Sequence, residues 1–339
     1  MQKRVFGRSG LRVSELSLGT MTFGTEWGQG ADYETSKAMF DAYADAGGNF
    51  IDTANRYTEG TSESYVGDFI SADRHHFVLA TKYTLHTRFG DPNFAGNHRK
   101  NLVRSVDESL RRLKTDFIDL YWVHAWDDTM QPEEIMRQLE YLVSSGKVLH
   151  IGISDTPAWI VACCNTIADL RGWSSFVGLQ IEYSLVRRDA ERDLLPMAQA
   201  FGLTVTPWSP LGSGVLSGKY LDGLSASNEG TVRRLKAESP RLSDKNLAIA
   251  REVAAIAAEL GTTSPRVALA WIRAKVPTSI PIIGARSVDQ LRDNLGATSI
   301  TLSAEHLTRL DSVSAIERGF PHDFLASENI QRLMGLTDF

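Results

Sequence analysis

The stretch LSLGTMTFG, Leu16–Gly24, decides the fold. Leu16–Gly19 is a short apolar run that reads as a strand, and the glycine ending it opens a turn. Two architectures build on such strands alternating with helices: an open doubly wound sheet and a closed barrel. An open sheet that binds a dinucleotide carries G-x-G-x-x-G after its first strand, and GTMTFG, Gly19–Gly24, does not match that spacing.

Outward from Leu16, apolar runs recur along the chain. They are FID (Phe50–Asp52), FVLATK (Phe77–Lys82), FIDLYW (Phe117–Trp122), VLHIGI (Val148–Ile153), VGLQI (Val177–Ile181), LTVTPW (Leu203–Trp208) and SIPII (Ser279–Ile283). Stretches of helical periodicity separate them, among them Ala38–Ala46, Val103–Leu113, Ile135–Val143 and Ala248–Leu260. Strands apolar on both faces, repeated about eight times with helices between, predict a (β/α)8 TIM barrel. No break in composition divides the chain, so residues 1–339 are expected to form one domain. KRVF (Lys3–Phe6) and LRVS (Leu11–Ser14) flank GRSG, which predicts a short hairpin ahead of the barrel, seated at its base. A Gly- and Ser-rich stretch from about Ser209 to Leu242 predicts a long loop after the seventh strand.

Composition narrows the function classes. The chain carries 36 Lys and Arg against 41 Asp and Glu, a net charge of −5. A mildly acidic chain with no basic block is a poor partner for nucleic acid or an anionic membrane surface. The N-terminal MQKRVFGRSG has no apolar core of a signal peptide, and no run is long enough to span a bilayer. The two cysteines, Cys163 and Cys164, are adjacent in a helical stretch and poorly placed to bridge each other, which predicts reduced thiols packed in a helix and a cytoplasmic protein. No cluster has metal-ligand spacing; His75-His76 reads as a solvated turn.

In a βα barrel, chemistry sits at the C-terminal ends of the strands. Asp52 ends the second strand, Lys82 the third and His124 the fourth; Ser154 and Asp155 end the fifth, Gln180 lies in the sixth and Trp208 ends the seventh. Tyr57 follows Asp52 in the loop of FIDTANRY. A lysine beside an aspartate forms a buried ion pair, and an ammonium next to a tyrosine favours its phenolate, which predicts a lowered Tyr57 pKa. Tyr57 could then give a proton to a carbonyl oxygen while His124 bonds the same oxygen.

With these residues in view, the chain resembles an aldo-keto reductase. The likeness is carried by RVFGRSGLRVSELSLGTMTFG, NFIDTANRY followed by TSESYVG, LATKY, DLYWVHAWD, VLHIGISDTPAW, LQIEYSL, VTPWSPLGSGVLSGKY and IPIIGARSVDQLRDNLGA, in order over nearly the whole chain. LHIGISDTPAW and PWSPLGSGVLSGKY are most similar to the aryl-alcohol-dehydrogenase-like branch. The resemblance implies a catalytic tetrad of Asp52, Tyr57, Lys82 and His124, with Tyr57 the proton donor, and reduction of an aldehyde or ketone by hydride from NADPH. It implies that Ser154, Asp155 and Gln180 hold the nicotinamide carboxamide and that Trp208 stacks on the ring. The resemblance also places Gly19, Thr20 and Met21, at the end of the first strand, and Asp52 on the same cofactor surface. Ser209, Pro210, Leu211, Gly214 and Lys219 match the loop over the pyrophosphate, and Gly284, Arg286, Gln290 and Asn294 the adenosine end. Arg286 stands where a 2′-phosphate would be met, and a guanidinium suits that dianion, which favours NADPH over NADH.

The family commonly has asparagine where this chain has Asp155, which accepts hydrogen bonds but lacks an amide donor. SGVLSGKY resembles a phosphate-binding loop but has Ser213 where glycine is needed and Tyr220 in place of Ser or Thr. Trp27 and Trp126, with Tyr57 and His124, are expected to line a pocket for a small, aromatic or apolar carbonyl substrate, with Phe89–Phe94, Phe320 and Phe324 nearby. Arg233 and Arg234 either reach the cofactor phosphates or only solvate their loop. Two other functions fit the resemblance: an alcohol or sugar dehydrogenase working oxidatively, and an NADPH-binding regulatory subunit like the potassium-channel β subunits. Those subunits typically have asparagine at the position of His124, so this histidine favours an enzyme. Oligomeric state is not readable from the sequence.

Overall fold

The computed structural model describes residues 1–221, 235, 236 and 238–336, so Arg233 and Arg234 lie outside the described residues. Strands β1 (Lys3–Val5) and β2 (Arg12–Ser14) form the expected antiparallel hairpin. Then come β3 (Ser17–Gly19), α1 (Tyr33–Asp45), β4 (Phe50–Asp52), α2 (Thr61–Ile70), β5 (Val78–Tyr83), α3 (Arg99–Leu113), β6 (Ile118–Val123) and α4 (Pro132–Ser144). They are followed by β7 (Val148–Ser154), α5 (Ala158–Arg171), β8 (Phe176–Glu182), α6 (Leu194–Phe201), β9 (Thr204–Trp208), α7 (Asp244–Glu259), α8 (Ser264–Lys275) and β10 (Ile282–Ile283). Helices α9 (Val288–Leu295), α10 (Ala304–Val313), α11 (His322–Leu325) and α12 (Glu328–Leu333) complete the chain.

The eight parallel strands run in the order β10-β3-β4-β5-β6-β7-β8-β9, and the Ile280 N–H donates to the Val205 carbonyl at 2.9 Å to bring the two ends together. This is the expected TIM barrel. β5 and β6 are buried at every residue, as strands sandwiched between barrel interior and helices must be. The last strand is shorter than SIPII suggests: Pro281 has no N–H to give a ladder, and only Ile282 and Ile283 pair, with Ser17 and Leu18.

The hairpin closes the base. Phe6 is fully buried, with its ring 5.4 Å from Phe50 and 6.4 Å from Trp122, edge to face. The Trp122 ring lies inside the barrel across the two strands that follow its own, which make room for it with Gly152 on β7 and Gly178 on β8. A Cβ on Gly178 would stand 2.6 Å from the Phe6 ring, so glycine is what lets the plug seat. The helices pack outside over two larger apolar clusters, one including Ile118, Tyr121 and Ile153, the other Leu18, Ile51 and Leu79. Helix starts are capped in the ordinary way: the Thr35 N–H donates to Asp32, the Gln290 N–H to Ser287 and the His306 N–H to Ser303. Among the described residues no helix is long and apolar enough to cross a membrane.

Candidate active site

Strand register assembles the centre. Asp52 pairs with Ala80 across β4 and β5, so Lys82 stands two residues beyond it on the same face. Lys82 is fully buried and Asp52 nearly so. The ammonium donates to Asp52 Oδ1, to the Thr53 carbonyl at 2.9 Å and to the Tyr57 hydroxyl oxygen at 3.0 Å. All three of its N–H bonds are thereby used. Gln180, from the far side of the barrel, donates to Asp52 Oδ2 at 2.9 Å, so both carboxylate oxygens are held.

Tyr57 is presented by an unusual turn. Thr58 and Glu59, which follow it, have φ of 45° and 56°, and Gly60 has φ of 97°. Left-handed backbone at non-glycine residues costs energy and persists where surrounding bonds over-determine it. Here Thr58 Oγ1 donates to the Phe23 carbonyl at 2.5 Å. Beneath it, Ser62 donates to the Thr20 carbonyl at 2.8 Å and shares hydrogen bonds with the Thr20 and Thr53 hydroxyls. Thr20 N–H donates in turn to the Asp52 carbonyl at 3.0 Å. None of this hydroxyl network stands out in the sequence.

The electrostatics correct one expectation. The Tyr57 pKa is raised, not lowered: burial dominates, the Lys82 ammonium pulls it down, and Asp52 pushes it back up. The phenol is therefore protonated at neutral pH. Because Lys82 donates to its oxygen, the phenolic proton is left to point elsewhere. Burial works against the Lys82 charge, but Asp52 and Tyr57 outweigh it and the pKa rises.

His124 follows β6, its ring 6.0 Å from that of Tyr57 at 83°. Burial, and then the Lys82 charge, holds its pKa well below the ordinary 6.5, so the imidazole is neutral. Its Nδ1 has no hydrogen-bond partner among the described residues. Thr84 fixes its backbone: the His124 N–H donates to Thr84 Oγ1 at 3.2 Å, and Thr84 donates to Asn97 at 2.6 Å. Thr84 has φ of 96°, a position a β-branched residue occupies only under constraint. Trp27 stands 6.4 Å from Tyr57, edge on, and its indole donates to Glu59 at 3.2 Å. Trp126 packs against the large apolar cluster with its N–H toward the Asp155 carbonyl.

The residues expected to hold a nicotinamide dinucleotide follow the neighbouring strands. The Ser154 hydroxyl is buried at the tip of β7 without a partner among the described residues. Asp155, at φ 42°, accepts from the Trp208 indole at 3.0 Å, a bond that an asparagine oxygen would accept equally. After β9, Ser209 accepts from the Ser213 N–H at 3.0 Å, Pro210 and Leu211 lead into a 3₁₀ turn, and Lys219 crosses close over Gly214, where a Cβ would lie 2.9 Å from Nζ. After β10, the Arg286 N–H donates to Gln290 at 3.1 Å and the Asn294 amide to the Gly284 carbonyl at 3.3 Å. Gly284 has open space where a Cβ would be. Gly19 and Thr20 are buried at the end of β3, and Met21 beside them is exposed. The buried Ser154 hydroxyl, Lys219 crossing over Gly214, and the open Gly284 three residues ahead of the α9 N-cap Ser287 suit a phosphate-bearing ligand. His75 and His76 lie exposed in the turn before β5, His75 tilted 5.5 Å from Phe117. Cys164 is buried in α5, its thiol pushed up to about 12 by burial, and both cysteines are free.

The family model for the aldo/keto reductases matches residues 15–315. This chain belongs to the aldo/keto reductase family. Norsolorinic acid reductase of Aspergillus flavus is 40% identical over 328 residues, covering 94% of this chain and 82% of that protein. The aryl-alcohol dehydrogenase [NADP(+)] of Phanerodontia chrysosporium is 37% identical over 329 residues, 92% of this chain and 86% of that one. A putative aryl-alcohol dehydrogenase of Saccharomyces cerevisiae is 36% identical over 333 residues, 94% and 88%. These relatives agree with the aryl-alcohol-dehydrogenase-like branch of this oxidoreductase family.

Proposed function

We propose that this aldo/keto reductase reduces an aldehyde or ketone to the alcohol with NADPH, Tyr57 acting as general acid. The observation that carries the reading is the Lys82 ammonium, buried between Asp52 and the Tyr57 hydroxyl at the strand tips. Bound across these strand tips, NADPH would supply the hydride for the carbonyl carbon. Tyr57 gives its proton to the oxygen as that hydride arrives, and Lys82 stabilises the phenolate left behind until solvent returns a proton. Asp52 and Gln180 fix Lys82 in place. Neutral His124 bonds the carbonyl oxygen and orients it. Ser154, Asp155, Gln180 and Trp208 would hold the nicotinamide end, the Ser209–Lys219 loop the pyrophosphate, and Gly284, Arg286, Gln290 and Asn294 the adenosine end. Support for the phosphorylated cofactor comes from Arg286 at the start of α9 and from the NADP(+) in the Phanerodontia relative's name. Trp27 beside Tyr57 favours an aromatic or apolar carbonyl compound, taken up in the cytoplasm. The same groups catalyse alcohol oxidation in reverse, and two of the relatives are named as dehydrogenases.

The test is Tyr57→Phe. NADPH titrated against protein fluorescence should bind as in wild type, while kcat falls by about 10²–10⁴-fold, the usual contribution of a general acid. Full turnover in the variant would refute the role.

A further inference from the structure

Behind the turn that presents Tyr57 lies a cavity of about 250 Å³, between Asn55–Glu59, the loop after β5 and helix α3. It is smaller than the ~300–1,000 Å³ of sites for drug-sized ligands. Five guanidiniums line it: Arg56, Arg88, Arg104, Arg111 and Arg112. Three carboxylates answer them. Glu59 takes Arg56 at 2.7 Å, Glu108 takes Arg104 at 2.6 Å, and Glu63 takes Arg112 at 2.6 Å from below. Arg88 and Arg111 pair with no carboxylate among the described residues, so the cavity keeps an excess of positive charge. Arg88 and Arg104 both lie 4.1 Å from the centre of the Phe94 ring, which holds their planes in place.

A second feature is independent of this charge. Asn55 lines the same cavity and is 2% exposed, yet neither its Oδ1 nor its Nδ2 has a hydrogen-bond partner among the described residues. The buried Nε of Arg104 is unpaired as well. Buried polar groups in folded proteins are normally satisfied, and exceptions call for an explanation. Unspent N–H donors beside excess guanidinium charge are what a small oxyanion needs. Asn55 Oδ1 suits an oxyanion that also carries an O–H, as hydrogen phosphate does.

We propose that this cavity binds a small oxyanion of the phosphate or carboxylate class, held by Asn55, Arg104 and Arg88. Its ligand is either a free anion or an acidic substituent on the substrate. The site does not depend on the proposed reaction, but Asn55 and Arg56 immediately precede Tyr57, so occupancy stiffens the turn that presents the phenol.

The experiment is calorimetric titration of the full chain with inorganic phosphate at constant ionic strength, without NADP+ and then with NADP+ in saturating amount to occupy cofactor-phosphate contacts. Saturable one-to-one binding that persists with the nucleotide is expected. It should weaken at least fivefold in Arg104→Met and in Arg88→Gln/Arg111→Gln, and stay unchanged in Arg171→Gln, which alters an exposed pair with Glu133 on α5 and α4. The double variant changes only exposed side chains, so it reports even where Arg104→Met fails to fold. Absence of saturable binding, or binding undiminished in the double variant, overturns the proposal. Displacement of bound phosphate by 4-formylbenzoate but not by benzaldehyde assigns the site to an acidic substrate group. Displacement by neither assigns it to a free anion. Displacement by both places the phosphate in the aldehyde pocket and overturns the proposal.

Discussion

Replacing Lys82 by methionine separates what the buried ion pair does for stability from what it does for catalysis. Methionine is close to lysine in length and fits a site with no exposure. The change deletes the ammonium and leaves the Asp52 carboxylate in the barrel with the Gln180 amide as its remaining side-chain donor. Removing one partner of a buried pair costs about 3–5 kcal/mol, because the surviving charge is uncompensated. Asp52→Asn alone strands the ammonium and should cost a similar amount. The double variant Asp52→Asn/Lys82→Met strands neither, so its cost is that of the lost hydrogen bonds, roughly 1–2 kcal/mol. It should therefore be more stable than either single variant, with strong coupling between the sites. Turnover behaves differently. Tyr57 has lost the group that stabilises its phenolate in both Lys82→Met and the double variant, so kcat stays down by about 10²-fold or more. The assays are urea midpoints at unchanged m and initial rates of NADPH oxidation with an aromatic aldehyde. A double variant no more stable than Lys82→Met refutes the stranded-charge argument. Recovery of turnover in the double variant refutes the dependence of Tyr57 on Lys82.

Three other outcomes follow from the same geometry. His124 is neutral in the folded chain and takes a proton near pH 6.5 when unfolded, so the unfolded state binds more protons below that pH. Stability should thus be flat above about pH 6.5 and decline on acidification by up to about 1.4 kcal/mol per pH unit from this group, and urea midpoints of His124→Gln should show a shallower decline. Phe6→Ala, which empties the base of the barrel, should cost about 3–5 kcal/mol by urea unfolding while leaving the KM for NADPH unchanged. Arg286→Ala should weaken NADPH but not NADH in fluorescence titrations; equal effects on both would remove the 2′-phosphate assignment.

Much of this was legible because a parallel strand buried on both faces leaves an unbroken apolar run, and FVLATK and FIDLYW are such runs. A polar residue ending one, as Asp52 and Lys82 do, has no packing reason to be there. What escaped the sequence is what depends on distance in the chain or on depth. Gln180 reaches Asp52 from 128 residues away. The arginine cavity draws on three segments that are each unremarkable alone. The direction of the Tyr57 pKa turned on burial, which the motif does not reveal: the adjacent lysine was readable, the surrounding desolvation was not. SIPII shrank to a two-residue strand because Pro281 interrupts the ladder. Thr84 looks like any loop threonine, and its backbone angle emerges only once Asn97 and His124 converge on it.

A ring of strands has no free edge, yet this one has a hem. Among the described residues, β9 and β10 have no register pairs; the gap between them is crossed by the backbone hydrogen bond from Ile280, two residues ahead of β10, to Val205, whereas each pairs in register with its other neighbour. The two loops proposed to clasp the dinucleotide, Ser209–Lys219 and Gly284–Asn294, rise from the two sides of that hem. A ligand gripping both would act as a stitch across the place where the barrel is most easily parted, so cofactor affinity and the integrity of the ring would be aspects of one equilibrium.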